Sequence, residues 1–193
     1  MRKGHAIAIV LSCICLTAPA WADFKAGMDA HHRGDYATAL REWQPLAEHG
    51  DALAQYNLGL LYDNGQGVQK DYAQARQWYE KAAVQGRSDA QVSLGILYDY
   101  GRSIPQDFKK AVYLYRLSAK QGNDLAQRRL GLMYERGDGV ERDYVQAYMW
   151  YILGAAGGAD RGAARKDALV KQMTLEQIAE AEKLAQEWKP KGK

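Results

Sequence analysis

Apolar residues recur along this chain at two periods, a short one that marks helices and a long one that marks a repeat. Leu58 and Tyr62, Leu94 and Tyr98, and Leu130 and Tyr134 are each four residues apart, so each pair falls on one stripe of a helix. The long period is 36 residues: Leu58-Gly59, Leu94-Gly95 and Leu130-Gly131 succeed one another at that spacing, as do most residues that follow them. Self-similarity at this period is the mark of a solenoid of helix pairs. The predicted fold is all-α, with repeat units over 51–87, 88–123 and 124–159.

Each unit has the same expected parts. Ala54, Ala90 and Ala126 precede the leucines on the first helix. Gly59, Gly95 and Gly131 sit mid-helix, where glycine costs about 1 kcal/mol relative to alanine. A cost repeated three times implies close approach of the second helix, with Ala75, Ala111 and Ala147 as the small residues expected to meet the glycines. Gly65, Gly101 and Gly137 are placed to end the first helix in a left-handed conformation. Val68, Ile104 and Val140 then offer an apolar plug between the helices, and Asp71, Asp107 and Asp143 stand where the second helix needs a cap. Gln74 and Gln146 complete a capping-box pattern that Lys110 breaks in the middle unit. The second helices carry Tyr79, Tyr115 and Tyr151, flanked by Trp78, Leu114 and Trp150, and Gly86, Gly122 and Gly158 close the units. Recurrence at the repeat period makes these aromatic residues packing residues rather than a ligand-stacking set.

The ends depart from the pattern. Residues 23–50 read as an opening helix pair whose second helix is in register, whereas Gly27 precedes Asp35 by eight residues and Gly59 precedes Asp71 by twelve. Residues 160–193 read as capping helices and a short tail. Asp160 to Lys171 is a polar helix with Ala163, Ala164, Ala168 and Leu169 available to pack; Thr174 and Gln177 start another, whose apolar face is Leu175, Ile178, Ala181, Ala185 and Trp188. An open array needs such a terminal cover.

Residues 1–22 have the layout of a secretory signal peptide: a basic start at Arg2-Lys3, an apolar run from Ala6 to Leu16, and Ala20-Trp21-Ala22 as a cleavage site. Ala18-Pro19-Ala20 is a competing site, and a lipoprotein reading through Cys13 is opposed by the bulky Leu11. The apolar run is too short to span a bilayer, so the mature chain is expected to have no transmembrane segment and to be periplasmic or secreted. The composition, 47% hydrophobic and 25% charged, is that of an ordinary globular protein. Without Arg2 and Lys3, 24 basic residues face 23 acidic ones, which gives no electrostatic case for nucleic acid. Cys13 and Cys15 both lie in the signal, so neither a disulfide nor thiol chemistry is expected of the mature chain.

The order Ala54, Leu58-Gly59, Tyr62, Gly65, Gly67-Val68, Asp71-Tyr72, Ala75, Trp78-Tyr79, Ala82-Ala83 and Gly86 resembles the Sel1-like repeat family, a subclass of the tetratricopeptide-like helical repeats. The third unit is nearly as close, with Gly154 in place of the first paired alanine. The middle unit departs at Ser103, Pro105, Leu114 and Ser118. The resemblance covers about residues 24–158. It implies a right-handed superhelix of antiparallel helix pairs, and a role as adaptor or scaffold between other proteins. Some secreted relatives are cysteine-rich and linked to β-lactam binding or hydrolysis, an activity that does not carry over to a mature chain without those cysteines.

The inventory for catalysis is sparse. The mature chain has four serines (Ser88, Ser93, Ser103, Ser118), none in a nucleophile-elbow pattern. His31-His32 point about 100° apart on a helix and lack a third ligand. Gly65-Gln66-Gly67 and Gly137-Asp138-Gly139 follow helices and lack a third glycine, so they are turns rather than phosphate loops. No metal, cofactor or catalytic residue is expected. Candidate partner-binding residues are those that differ between equivalent first-helix positions, because first helices line the groove of tetratricopeptide-like arrays. They are Phe24, Met28, His31 and His32 in the opening pair; Tyr56, Leu60, Asp63 and Asn64; Val92, Ile96, Asp99 and Tyr100; and Arg128, Leu132, Glu135 and Arg136. Apolar anchors between charged ends suit a peptide segment. The expected function is non-enzymatic protein–protein interaction; the alternative is a cell-envelope enzyme acting on peptidoglycan or β-lactam-like material.

Overall fold

The computed structural model describes residues 22–155 and 163–190. The predicted signal peptide, apart from Ala22, lies outside the described residues, as do Gly158 and the start of the expected helix at Asp160. Among the described residues there are ten helices and no strand: α1 Phe24–His32, α2 Tyr36–Glu48, α3 Ala52–Asn64, α4 Tyr72–Val84, α5 Ser88–Tyr100, α6 Phe108–Ala119, α7 Asp124–Arg136, α8 Tyr144–Ala155, α9 Ala163–Val170 and α10 Leu175–Glu187. Each packs on its neighbours in sequence, α1 on α2, α2 on α3 and so on to α8, after which α9 and α10 both return to α8.

The mid-helix glycines do mark close approach, but the nearest group to each is a tyrosine ring, and of the expected alanines only Ala147 is among the nearest neighbours, through its backbone carbonyl. A Cβ on Gly59 would stand 2.4 Å from the Tyr79 ring, and Cβ atoms on Gly95 and Gly131 would each stand 2.7 Å from the rings of Tyr115 and Tyr151. The second-helix tyrosine ring abuts the first-helix glycine, at a distance closed to any residue with a side chain. The carbonyl of Ala147 also approaches Gly131, at 3.1 Å from such a Cβ. Gly27, out of register in sequence, repeats the device with Trp43, whose ring would be 2.3 Å from its Cβ. The shorter turn of the opening pair therefore shifts the numbering and leaves the packing intact.

Gly65, Gly101 and Gly137 end α3, α5 and α7 with φ of 71°, 65° and 80°, the left-handed region expected of them. Asp35, Asp71, Asp107 and Asp143 cap the second helices by accepting from backbone N–H groups at 2.8–3.1 Å. The expected capping boxes at Gln74 and Gln146 do not form. A box needs the N-cap backbone N–H, and that group is already spent: Asp71, Asp107 and Asp143 donate it to the carbonyls of Tyr62, Tyr98 and Tyr134 at 2.9–3.0 Å. The box expected at Thr174 and Gln177 is formed. Ser103 occupies the left-handed place of Gly67 and Gly139 at φ 58°, so the middle loop keeps its path.

Three buried clusters run along the array and each is shared by successive units. Val68, Ile104 and Val140 pack against them as plugs. The termination differs from expectation in detail. Ala181 and Ala185 of α10 are buried and Ile178, Leu184 and Trp188 pack beside them, but Leu175 is 83% exposed because it opens the helix ahead of the contact. In α9, Leu169 is buried whereas Ala164 and Ala168 face solvent.

Candidate partner-binding surface

The first helices present their candidate residues in three ways. Some are spent inside the array. Val92 is 3% exposed and belongs to the core. Asp63 and Asp99 accept hydrogen bonds from the buried Tyr79 and Tyr115 hydroxyls at 3.1 Å, and Glu135 accepts from Tyr151. These three acids hold the tyrosine that lies on each glycine. Burial and the adjacent carboxylate push the Tyr79, Tyr115 and Tyr151 hydroxyls well above the ordinary phenol range. Burial likewise raises the Asp99 carboxyl, opposed by the Tyr115 hydrogen bond and by the Arg129 guanidinium 3.6 Å away. Arg128 donates to Asp124 at 2.7 Å and to the Gly154 carbonyl at 3.2 Å. Its own side chain fills the space that an alanine at 154 would need, which accounts for the glycine there.

A second group is half-buried. Phe24 stacks on Trp43 with centroids 5.9 Å apart, and His31 packs between Tyr36 and Trp43 at 5.2 and 5.6 Å. The Met28 sulfur accepts weakly from Asn57 at 3.8 Å. Tyr56 packs beside Tyr79, while Leu60 and Ile96 back onto the core and Leu132 is partly covered. His32, Asn64, Tyr100 and Arg136 form the third, exposed group, with Tyr100 at 55%.

Tyr100 is the centre of a strip that spacing alone does not reveal. Arg129 donates to its hydroxyl at 3.0 Å, and the Arg102 guanidinium stands 5.3 Å from both the Tyr100 and the Tyr72 ring centres. Lys70 lies 5.1 Å from the Tyr72 ring. Residues from three units thus make one basic and aromatic edge, held by cation–π contacts worth roughly 0.5–1 kcal/mol each when exposed. The motif returns at the far end, where Arg116 donates to the Tyr134 hydroxyl at 2.7 Å and Arg142 lies 5.5 Å from the Tyr144 ring. Those four residues, with Gln146 and Gln177, line an open polar cleft of about 700 Å³. Tyr72, Arg102 and Arg129 were not among the candidates, because Tyr72 repeats and reads as packing while the arginines lie off the expected positions.

Sequence spacing also passed over a buried glutamine ladder. Gln55, Gln91 and Gln127 donate to the carbonyls of Ala47, Ala83 and Ala119 at 3.0–3.3 Å, and Gln85 and Gln121 donate to the side chains of Gln55 and Gln91 at 2.8 and 2.9 Å. Their own 36-residue recurrence is the signal that could have found them. Among the described residues no group of three metal-ligating side chains comes together, and no helix is long and apolar enough to cross a membrane.

The Sel1 repeat profile matches residues 52–86, 88–123 and 124–158. Among solved structures, a Sel1 repeat protein from Oxalobacter formigenes is 32% identical with a TM-score of 0.72, over 78% of this chain and 62% of that one. The protein c5321, described as a protective antigen present in uropathogenic Escherichia coli strains and displaying an SLR fold, is 30% identical with a TM-score of 0.74, over 84% of this chain and 39% of that one. The chain therefore spans less than two thirds of the length of either. No curated protein matches it.

Proposed function

The chain belongs to the Sel1 repeat family, whose members typically serve as protein-interaction scaffolds, and from that premise we propose that it is an exported, non-enzymatic adaptor. It holds a partner segment along the edge centred on Tyr100, where the ends of the first helices meet the loops that follow them. The observation that carries this reading is the strip Lys70, Tyr72, Arg102, Tyr100 and Arg129. The exposed Tyr100 ring between Arg102 and Arg129, beside the half-buried Tyr72 ring and Lys70, offers an apolar face and charged donors together, which suits a peptide carrying carboxylates. Export rests on residues 1–22, and cleavage after Ala22 gives a mature chain beginning at Asp23.

The test is capture from the native envelope fraction with the full-length mature protein as bait. Tyr100→Ala combined with Arg102→Glu changes two exposed side chains and spares the core. The captured partner should be lost with this variant and weakened by salt, while the unfolding midpoint stays within error of the wild type. Undiminished capture overturns the assignment of the surface. Intact mass measured on the protein from that fraction checks the export: a chain that still begins at Met1 overturns it.

A further inference from the structure

The middle repeat differs from both neighbours at one place between the second helices. Where the flanking units carry Trp78 and Trp150, it carries Leu114. Above Leu114 is a mainly apolar cavity of about 390 Å³, lined by Val84, Leu94, Tyr113 and Leu117 among others. Val84 is 88% exposed and Tyr113 61%, so the mouth is open and mostly apolar, with Glu80 the one charged residue of the lining.

The same place is closed in the other two units, by different means. One period earlier the mouth residues are Glu48, Gln77 and Lys81, all polar. There Trp78 packs on the N-terminal core, with the Lys81 ammonium 4.0 Å above its ring. One period later the chain's own C-terminus is the cover. Trp188, at the end of α10, meets Trp150 edge-on at 6.0 Å. Pro190 lies beside Gly122, the equivalent of the Gly86 that lines the middle cavity; a Cβ on Gly122 would be 3.7 Å from it.

We propose that the cavity over Leu114 receives an indole-sized aromatic side chain from an amphipathic helical segment of a partner protein, docking there as α10 docks one repeat further on. Fully enclosed aromatic anchors of this kind dominate the energetics of small interfaces. A second copy of the chain is a poorer occupant. Two exposed side chains supply on the order of 300 Å² even with a tyrosine among them. A stable dimer needs about 800 Å² from each partner. This site is separate from the edge centred on Tyr100 and stands or falls without it.

A synthetic peptide with the sequence of residues 175–190 is the probe, because it carries the one segment known to cover this place in the fold. It is titrated into the full mature chain while methyl resonances of Val84, Leu117 and Met149 are followed. Saturable shifts at Val84 and Leu117 are expected, with affinity at least tenfold lower for Val84→Glu and for the peptide bearing Trp188→Ala. Val84→Glu changes a side chain that is 88% exposed, so it should retain the wild-type unfolding midpoint. The proposal is overturned by absence of saturable binding, by equal affinity in Val84→Glu, or by shifts confined to Met149, which would mean only exchange with α10. Self-association of the wild type that Val84→Glu abolishes would overturn it in favour of a second copy.

Discussion

The tyrosine on the glycine is the smallest unit from which this protein is built, and it couples packing to charge. Gly95→Ala ought to stabilise α5 by about 1 kcal/mol if helix propensity alone decided. The new Cβ would instead meet the Tyr115 ring at 2.7 Å, and that ring is tethered through its hydroxyl to Asp99. Overpacking against a held ring costs about 1–3 kcal/mol, so the substitution should lower the denaturant midpoint at unchanged slope. Asp99 itself carries a pH signature. Burial raises its carboxyl in the folded chain, so the folded state binds the proton more tightly than the unfolded state does. Its contribution to stability is therefore lost as pH climbs from the unfolded value, about 3.9, through the raised folded one. Asp99→Asn cannot titrate. The stability difference between variant and wild type should move toward the variant across that window and become flat above it. Denaturation at a series of pH values reads this slope apart from the constant cost of leaving Arg129 without its carboxylate.

At the scale of the helix pair, backbone and side-chain hydrogen bonds join units that hydrophobic pattern alone would only place side by side. Gln91 is buried, donates to the Ala83 carbonyl and accepts from Gln121. Gln91→Leu removes both bonds, but the Ala83 carbonyl keeps the Gly86 N–H and the exposed Gln121 turns to water. The loss is that of ordinary hydrogen bonds, about 0.5–1.5 kcal/mol each, and should lower the midpoint accordingly. Gln74→Ala should be nearly silent beside Asp71→Ala, which removes a cap worth about 1 kcal/mol, because the capping-box donor is already engaged with Tyr62. These elements mark how far the sequence could be read. Helix order, the glycine ends and the aspartate caps are local or strictly periodic, and such features leave a direct trace in spacing. The neighbour of Gly59 is not legible in spacing, because a small residue and a large ring can both answer a glycine, and here the space is filled by the Tyr79 ring. The acids at 63, 99 and 135 have a tyrosine partner sixteen residues away on the other helix, which first-helix spacing does not show. The strip through Tyr72, Arg102 and Arg129 joins three units in space, and no one-dimensional register brings those residues together.

The whole molecule is a line of nearest-neighbour contacts with one fixed end. Each helix from α1 to α8 touches the next, and α9 and α10 close the series by lying on α8. In such an array stability is close to a sum of unit and interface contributions, so damage at one end should spread unevenly. Ala181 is fully buried between α10 and α8. Ala181→Glu would put a carboxylate there with no partner, at a cost large enough to detach α10. Hydrogen exchange should then show protection lost in α10 and α8 first, reduced in α7 and α6, and close to wild type in α1 and α2. The uncovered face of α8, with Tyr148, Met149 and Trp150, should also promote association, visible as a rise in sedimenting mass. A uniform loss of protection from α1 to α10 would show instead that the repeats unfold as one unit, and that the cap stabilises the whole array rather than its last pair.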